Sequence, residues 1–441
     1  MSDSDVPDDG RDDSGADDFD FSGLFGADPS AMMAQFMSLF SGMGSGGSDH
    51  LDQALQIAMS IAAGGGTEPN VDPVERMQLE QLARVAELQI EQATGLRGSH
   101  GTLTIAPVTR GEWVKRSMEA YRPILEKLGA AMSDPLAAGP PTDDEASDPQ
   151  MAMFEQLFTS LRPMMTNMTT GSMVGHIGSR ALGTYDLPIP RPASDELLVV
   201  VPNLNAFGEE WSLDADDLRM WIALSEVAHH AVLSVPHVAE RLSVLLDRYV
   251  GAFRSDPKAI EESLGGFEIS PSGDFSELQD QLQSMFGDPT ALIGALRSPE
   301  QEAVLPEISA LCGTIVGYVD HIMDSIGERL IASYAQLTEA LRRRRVTASQ
   351  SDRFVEKLLG LELDQQLYDD GRAFIDGVVE RAGEDSLRRL WESAENLPTP
   401  AEMAAPGLWL ARLGVDFELD VEAEVEFELG DDAFDDDDES D

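Results

Sequence analysis

The sequence predicts a mainly helical α+β protein with a small β-sheet, flanked by acidic ends that stay disordered. Three observations carry this prediction. Apolar residues recur at helical spacing through most of residues 72–410, with capping residues where the periodic segments begin. One run, Leu197-Leu198-Val199-Val200-Val201, is continuous and rich in β-branched residues between Pro190 and Pro202. Both ends are dominated by acid and contain little that could be buried.

Taken in order, residues 1–70 read as an acidic, Gly- and Met-rich segment. Met1 to Ser30 holds ten acids and one arginine, and is expected to be disordered. Ala31 to Phe40 and Leu51 to Ala63 have helical spacing and suit short amphipathic helices that dock or bind a partner. The body is expected over 71–415. Asp72 before Pro73 supplies an N-cap and a first-turn proline for a long helix ending at Thr94-Gly95. A second helix is expected from Gly111 to Met132, then a Pro-, Gly- and Asp-rich loop from Ser133 to Asp148. Gln150 to Leu182 reads as helix and carries a stripe of small residues, Gly171, Gly175, Ser179 and Gly183, where another backbone can approach closely. The strand at Glu196–Val201 follows. Asp214, with Asp216 and Asp217 in the first turn, caps a helix through His229-His230. A long helix from near Glu307 is expected to end at Arg342–Arg345, whose cations suit a helix C-terminus or an acidic partner segment. From Asp416 to Leu429 acids and apolar residues alternate, a period that fits either an edge strand or solvated disorder; 416–441 is the acidic tail.

Composition limits the function. With 81 acids against 30 bases and a net charge of -51, the chain repels nucleic acid and anionic membrane alike. The single cysteine, Cys312, excludes an internal disulfide or a Cys-rich zinc site and fits a cytoplasmic protein. Gly42, Gly44 and Gly47 match G-x-G-x-x-G but follow no strand, which removes the nucleotide-binding context.

The chemistry-bearing segment is the Asp214 helix. Ser225 and His229 lie about 40° apart on it, with Glu226 beside them. Two histidines at i and i+4 with a glutamate after the first form a zinc-hydrolase helix, and here the first histidine position holds Ser225. A lone E-x-x-H also arises in ordinary helices, as a hydrogen-bonded histidine beside a solvated glutamate. More of the chain bears on the choice: Glu112-Trp113-Val114, Arg122 to Glu126, Leu182-Gly183-Thr184-Tyr185-Asp186-Leu187-Pro188, Leu198 to Asn203, Phe207 to Trp211 and Gly317-Tyr318-Val319-Asp320-His321 stand in order around it.

With these segments the chain resembles the zincin-like family of bacterial zinc metallopeptidases over roughly Thr109 to Leu413. The resemblance implies a zincin-like architecture, with an edge strand beside the active-site helix that takes extended peptide by strand addition. It assigns Glu226 as general base, His229 as a zinc ligand and Asp320 as the outer-shell acid of an E-x-x-x-D motif. Ser225 and Val316 then occupy positions where the family has ligands, so two of three expected donors are replaced. Zinc is therefore implied by family but poorly provided for, and the expected function is a catalytically degenerate metallopeptidase-like hydrolase that binds a peptide or partner. Two alternatives stand beside it: an active zinc hydrolase regrouped from His229, His230, Asp320, His321 and Asp324, and an acidic adaptor acting through its terminal segments.

Overall fold

The computed structural model describes residues 50–133, 166–253 and 297–415, apart from positions 65, 67, 99, 100 and 348. The expectations for residues 1–49, the Gly42 motif, the loop at 134–148, the start of the Gln150 helix and the tail lie outside the described residues.

Helix α1 (His50–Ala62) is followed by α2 (Pro73–Thr94), which begins and ends where its residues dictate. The Asp72 side chain accepts from the Val74 amide, and Gly95 closes the helix at φ 72°, a conformation that favours glycine. Strand β1 (Thr104–Val108) leads into α3 (Arg110–Ala120) and α4 (Arg122–Ser133). The single helix expected over 111–132 is thus two. Pro123 has no amide hydrogen for the preceding turn, and Tyr121 leaves helical geometry just before it. A helix over 166–180, α5, precedes β2 (Glu196–Val200), α6 (Val201–Glu210) and α7 (Ala215–Leu233). Then come α8 (Pro236–Gly251), α9 (Pro299–Leu330), α10 (Tyr334–Val346), α11 (Gln350–Leu359) and α12 (Gln365–Ala382), with α13 (Pro400–Ala404) and α14 (Pro406–Arg412) at the end.

The two strands pair in parallel, Thr104 opposite Glu196 through Val108 opposite Val200, with α3, α4 and α5 in the crossover between them. β1 escapes the sequence pattern because it is short and contains Pro107. The Thr104 amide donates to the Asp195 carbonyl, so by the parallel alternation Ile105 and Pro107 turn their backbone to the outer edge, where Pro107 offers no donor.

Residues 50–63, assigned to the N-terminal segment on sequence, are part of the body. Ala54, Ala58 and Ala62 are buried, and a Cβ at Gly171 or Gly175 would lie 2.7 Å from the Ala54 or Ala58 carbonyl oxygen. The small-residue stripe on α5 is thus a close helix contact. Its next member is Gly178, which faces Ala62 and Val114, in place of Ser179; Gly183 lies beyond the helix.

The long helix expected from Glu307 to Arg345 is interrupted. α9 stops at Leu330, Ile331 is extended, and Ser333 gives both its amide and its hydroxyl to the Asp217 carboxylate at the start of α7. α10 then starts anew. By length and composition α9 could span a bilayer, but 67% of that apolar stretch is buried inside the protein, where it serves as the central core helix.

Candidate functional site

The loop at 181–188 is where the recognised segments meet. The Trp113 indole donates to the Gly183 carbonyl at 2.7 Å. The Val200 amide donates to the Leu182 carbonyl, and the Thr184 hydroxyl exchanges hydrogen bonds with the Leu198 backbone at 2.6 and 3.3 Å. Leu198 and Val200 are the β2 residues whose backbone faces away from β1, so this loop fills the outer edge of β2. The Asp186 carboxylate accepts from the Leu182 amide and pairs with Arg344 at 3.3 Å. A docking edge for extended peptide, expected beside the site helix, is therefore taken by the chain itself on β2 and bears Pro107 on β1.

Helix α7 starts as its sequence requires, with the Asp214 side chain accepting from the Asp216 and Asp217 amides. From Trp221 onward every residue to Leu233 is buried, so its chemistry is enclosed. Glu226 points into the loop. One carboxylate oxygen accepts from the Thr184 amide at 2.7 Å and the Tyr185 amide at 3.1 Å, and the other is 3.3 Å from the Tyr185 amide. Burial pushes its pKa up to about 8, against the downward pull of those amides. Any Cβ at position 183 would collide with this carboxyl, which explains the glycine.

Ser225 and His229 are both buried on α7. The His229 Nδ1–H donates to the Ser225 carbonyl at 2.8 Å, leaving Nε2 as the free lone pair. Burial lowers its pKa and keeps the ring neutral, and the charge of Arg345 acts in the same direction. That tautomer suits a ligand, but the companions are missing. The ring of Tyr185 stacks on His229 at 6.3 Å between centroids, and its hydroxyl is 2.8 Å from His230 Nδ1. His230 is thereby engaged on the side of the loop.

α9 packs against α7 and carries Val316, which is buried, and one turn later Asp320. Asp320 accepts both guanidinium nitrogens of Arg345, at 2.7 and 3.0 Å. Burial alone would raise its pKa, and Arg345 outweighs that, holding the carboxyl below its ordinary value. Asp320 also interacts electrostatically with His229, which brings the α9 acid and the α7 imidazole into one neighbourhood. Of the other candidates for a regrouped centre, Asp324 is held elsewhere, and His321, whose Nε2 has no hydrogen-bond partner among the described residues, lies beside Glu384. Asp324 accepts from the Tyr334 hydroxyl at 2.7 Å and lies 3.5 Å from Arg372, and His321 Nε2 lies 3.6 Å from Glu384. Among the described residues no three His, Cys, Asp or Glu side chains form a group able to hold a metal ion. A serine, a valine and an acid bound to a guanidinium around one imidazole do not fit zinc.

The arginine run lies in the last turn of α10, as the helix-end reading has it, and its members also hold acids. Arg343 pairs with Glu339 on its own helix, Arg344 with Asp186 and the Arg180 carbonyl, and Arg345 with Asp320. Arg345 also lies over the Tyr368 ring, 4.7 Å from its centroid. Beside it a small pocket of mixed lining is bounded by Arg180, Asp186, Arg344, Asp352, Glu356 and Tyr368 among others. His176 makes a 2.7 Å contact with Asp352; burial, then Arg180, lowers its pKa to about 4. Arg345, Tyr185 and Asp186 were not legible as site residues, since only the fold brings three distant segments together.

The chain is similar in fold to a crystal structure from Chloroflexus aurantiacus described as "a putative hydrolase with a novel fold". The TM-score is 0.58 and the identity 22%, covering 82% of this chain and 98% of that one. No curated relative matches the chain. A family model described as zincin-like metallopeptidase matches residues 50–410, the whole span that carries the loop, α7 and α9. The chain belongs to the zincin-like metallopeptidase family.

Proposed function

We propose that this chain is a catalytically degenerate member of its family that works by binding a peptide or protein partner. The observation that carries the reading is the state of Glu226. A general base must reach the proton it removes, yet this carboxylate is 3% exposed and bound to the amides of Thr184 and Tyr185. Ser225 and Val316 in place of ligands point the same way.

The binding half of the reading draws on α2. Val74, Met77, Val85 and Leu88 stand in solvent along one face of that helix at helical spacing, between 39% and 56% exposed. Exposed apolar residues sharing one face in this way suit a contact surface, and a protein partner presenting an amphipathic helix fits a straight face of this type. The occupied edge of β2 argues against strand addition.

The test is metal content and peptide hydrolysis of the purified full-length chain, prepared with zinc present. The protein should keep no stoichiometric zinc through desalting, and any residual hydrolysis should be the same in Glu226→Gln. Stoichiometric zinc that disappears in His229→Ala would instead establish a working hydrolase. A partner that co-purifies with the wild type should be lost from Met77→Glu/Leu88→Glu and kept on deletion of 416–441; the opposite pattern would identify the acidic tail as the handle.

A further inference from the structure

α10 is delivered to the site by a purpose-built turn. After α9 ends, Ser333 is fixed to Asp217, the Tyr334 hydroxyl donates to Asp324, and Gly327 leaves room for the Tyr334 ring. α10 thereby folds back along α9, and its last turn reaches Asp320, ten or more residues upstream of the α9 terminus. There the Arg345 guanidinium meets the carboxylate through two parallel hydrogen bonds, with the Tyr368 ring beneath it. Planar, bidentate pairing over an aromatic face is the arrangement in which a guanidinium is most firmly held. The neighbouring Arg344 is tied to Asp186 of the loop that Glu226 also holds, so the same helix end clamps both walls of the former site.

We propose that Arg345 is this chain's own cation in place of a metal: its guanidinium, and not an ion, balances Asp320 one helical turn from Val316 and within electrostatic range of His229. The inference rests on the reading of positions 225 and 316 as vacated ligand positions, and goes beyond it by naming what took the charge over. One consequence follows for any attempt to restore the site. Replacing Ser225 and Val316 with ligands is not enough, because an incoming divalent cation meets a guanidinium that cannot be deprotonated.

Zinc itself is the probe, measured by competition with a chromophoric chelator and by elemental analysis. The folded variants are Ser225→His/Val316→Glu, Arg345→Met, and the triple combination. The triple variant should bind one zinc at least about 100-fold more tightly than the double, and Arg345→Met alone should bind none. Equal affinity of double and triple variants would overturn the assignment of Arg345 while upholding the ligand positions. A folded triple variant that binds no zinc would overturn the ligand positions themselves. A second measurement does not depend on the triple variant folding. Arg345→Met should lower the melting temperature, and Arg345→Met/Asp320→Asn should regain at least half of that loss, since the stranded carboxylate is then gone. Identical melting of these two variants would also overturn the proposal.

Discussion

Glu226 illustrates how one residue type serves two ends. Its carboxyl is buried against backbone amides, with its pKa raised to about 8 from the ordinary 4.5, so folding takes up a proton between those values. For a carboxyl raised in this way, stability is fullest below the unfolded pKa and declines as pH rises towards the folded one. Over roughly pH 5–8 the wild type should lose up to about 1.4 kcal/mol per pH unit more than Glu226→Gln, as read from urea unfolding at several pH values. Parallel pH profiles for the two proteins would show that Glu226 is ionised throughout. At this scale the sequence placed Ser225, Glu226 and His229 on one helix, because helix periodicity and an N-cap are local properties, but it did not show that the helix is enclosed and Glu226 buried. It did not show Arg345 as the partner of Asp320. A run of arginines at a helix end suits the helix dipole equally well, and only the turn at Ser333 decides where the run points.

Elements meet most tightly where side chains are absent. α9 and α12 cross at Gly317 and Gly371, and a Cβ on either would press on the other helix's backbone well inside 3.0 Å. Gly317→Ala or Gly371→Ala should therefore destabilise by about 2 kcal/mol net. The overpacking cost exceeds the roughly 1 kcal/mol that alanine adds to a helix, because a backbone obstacle cannot rotate away. Gly111→Ala is the control: its Cβ would meet only Met59 and Glu68 at ordinary distances, and its midpoint in denaturant should stay level or rise. The elements legible in sequence were those with chemical punctuation, such as α2 between Asp72 and Gly95 and α7 behind Asp214. β1 and the α9–α10 break were not. The first is five residues with a proline, and the second is fixed by a carboxylate more than a hundred residues away.

For the whole molecule the governing quantity is a net charge of -51. Self-repulsion on that scale opposes the compact state and is screened by salt, whereas ion pairs such as Arg344–Asp186 lie partly out of reach of screening. The melting temperature should rise between about 20 mM and 0.5 M sodium chloride. A fall would mean that the internal ion pairs outweigh the repulsion. Chelator treatment, by contrast, should leave melting unchanged, since the charge facing Asp320 is part of the polypeptide. The two-stranded ladder has a further bearing on the fate of the protein under stress. One flank is sealed by Leu182 and Thr184 and the other carries a residue without an amide hydrogen. Neither flank offers an unbroken row of donors and acceptors to a further copy, so strand-by-strand accretion on this ladder is disfavoured while the core stays folded.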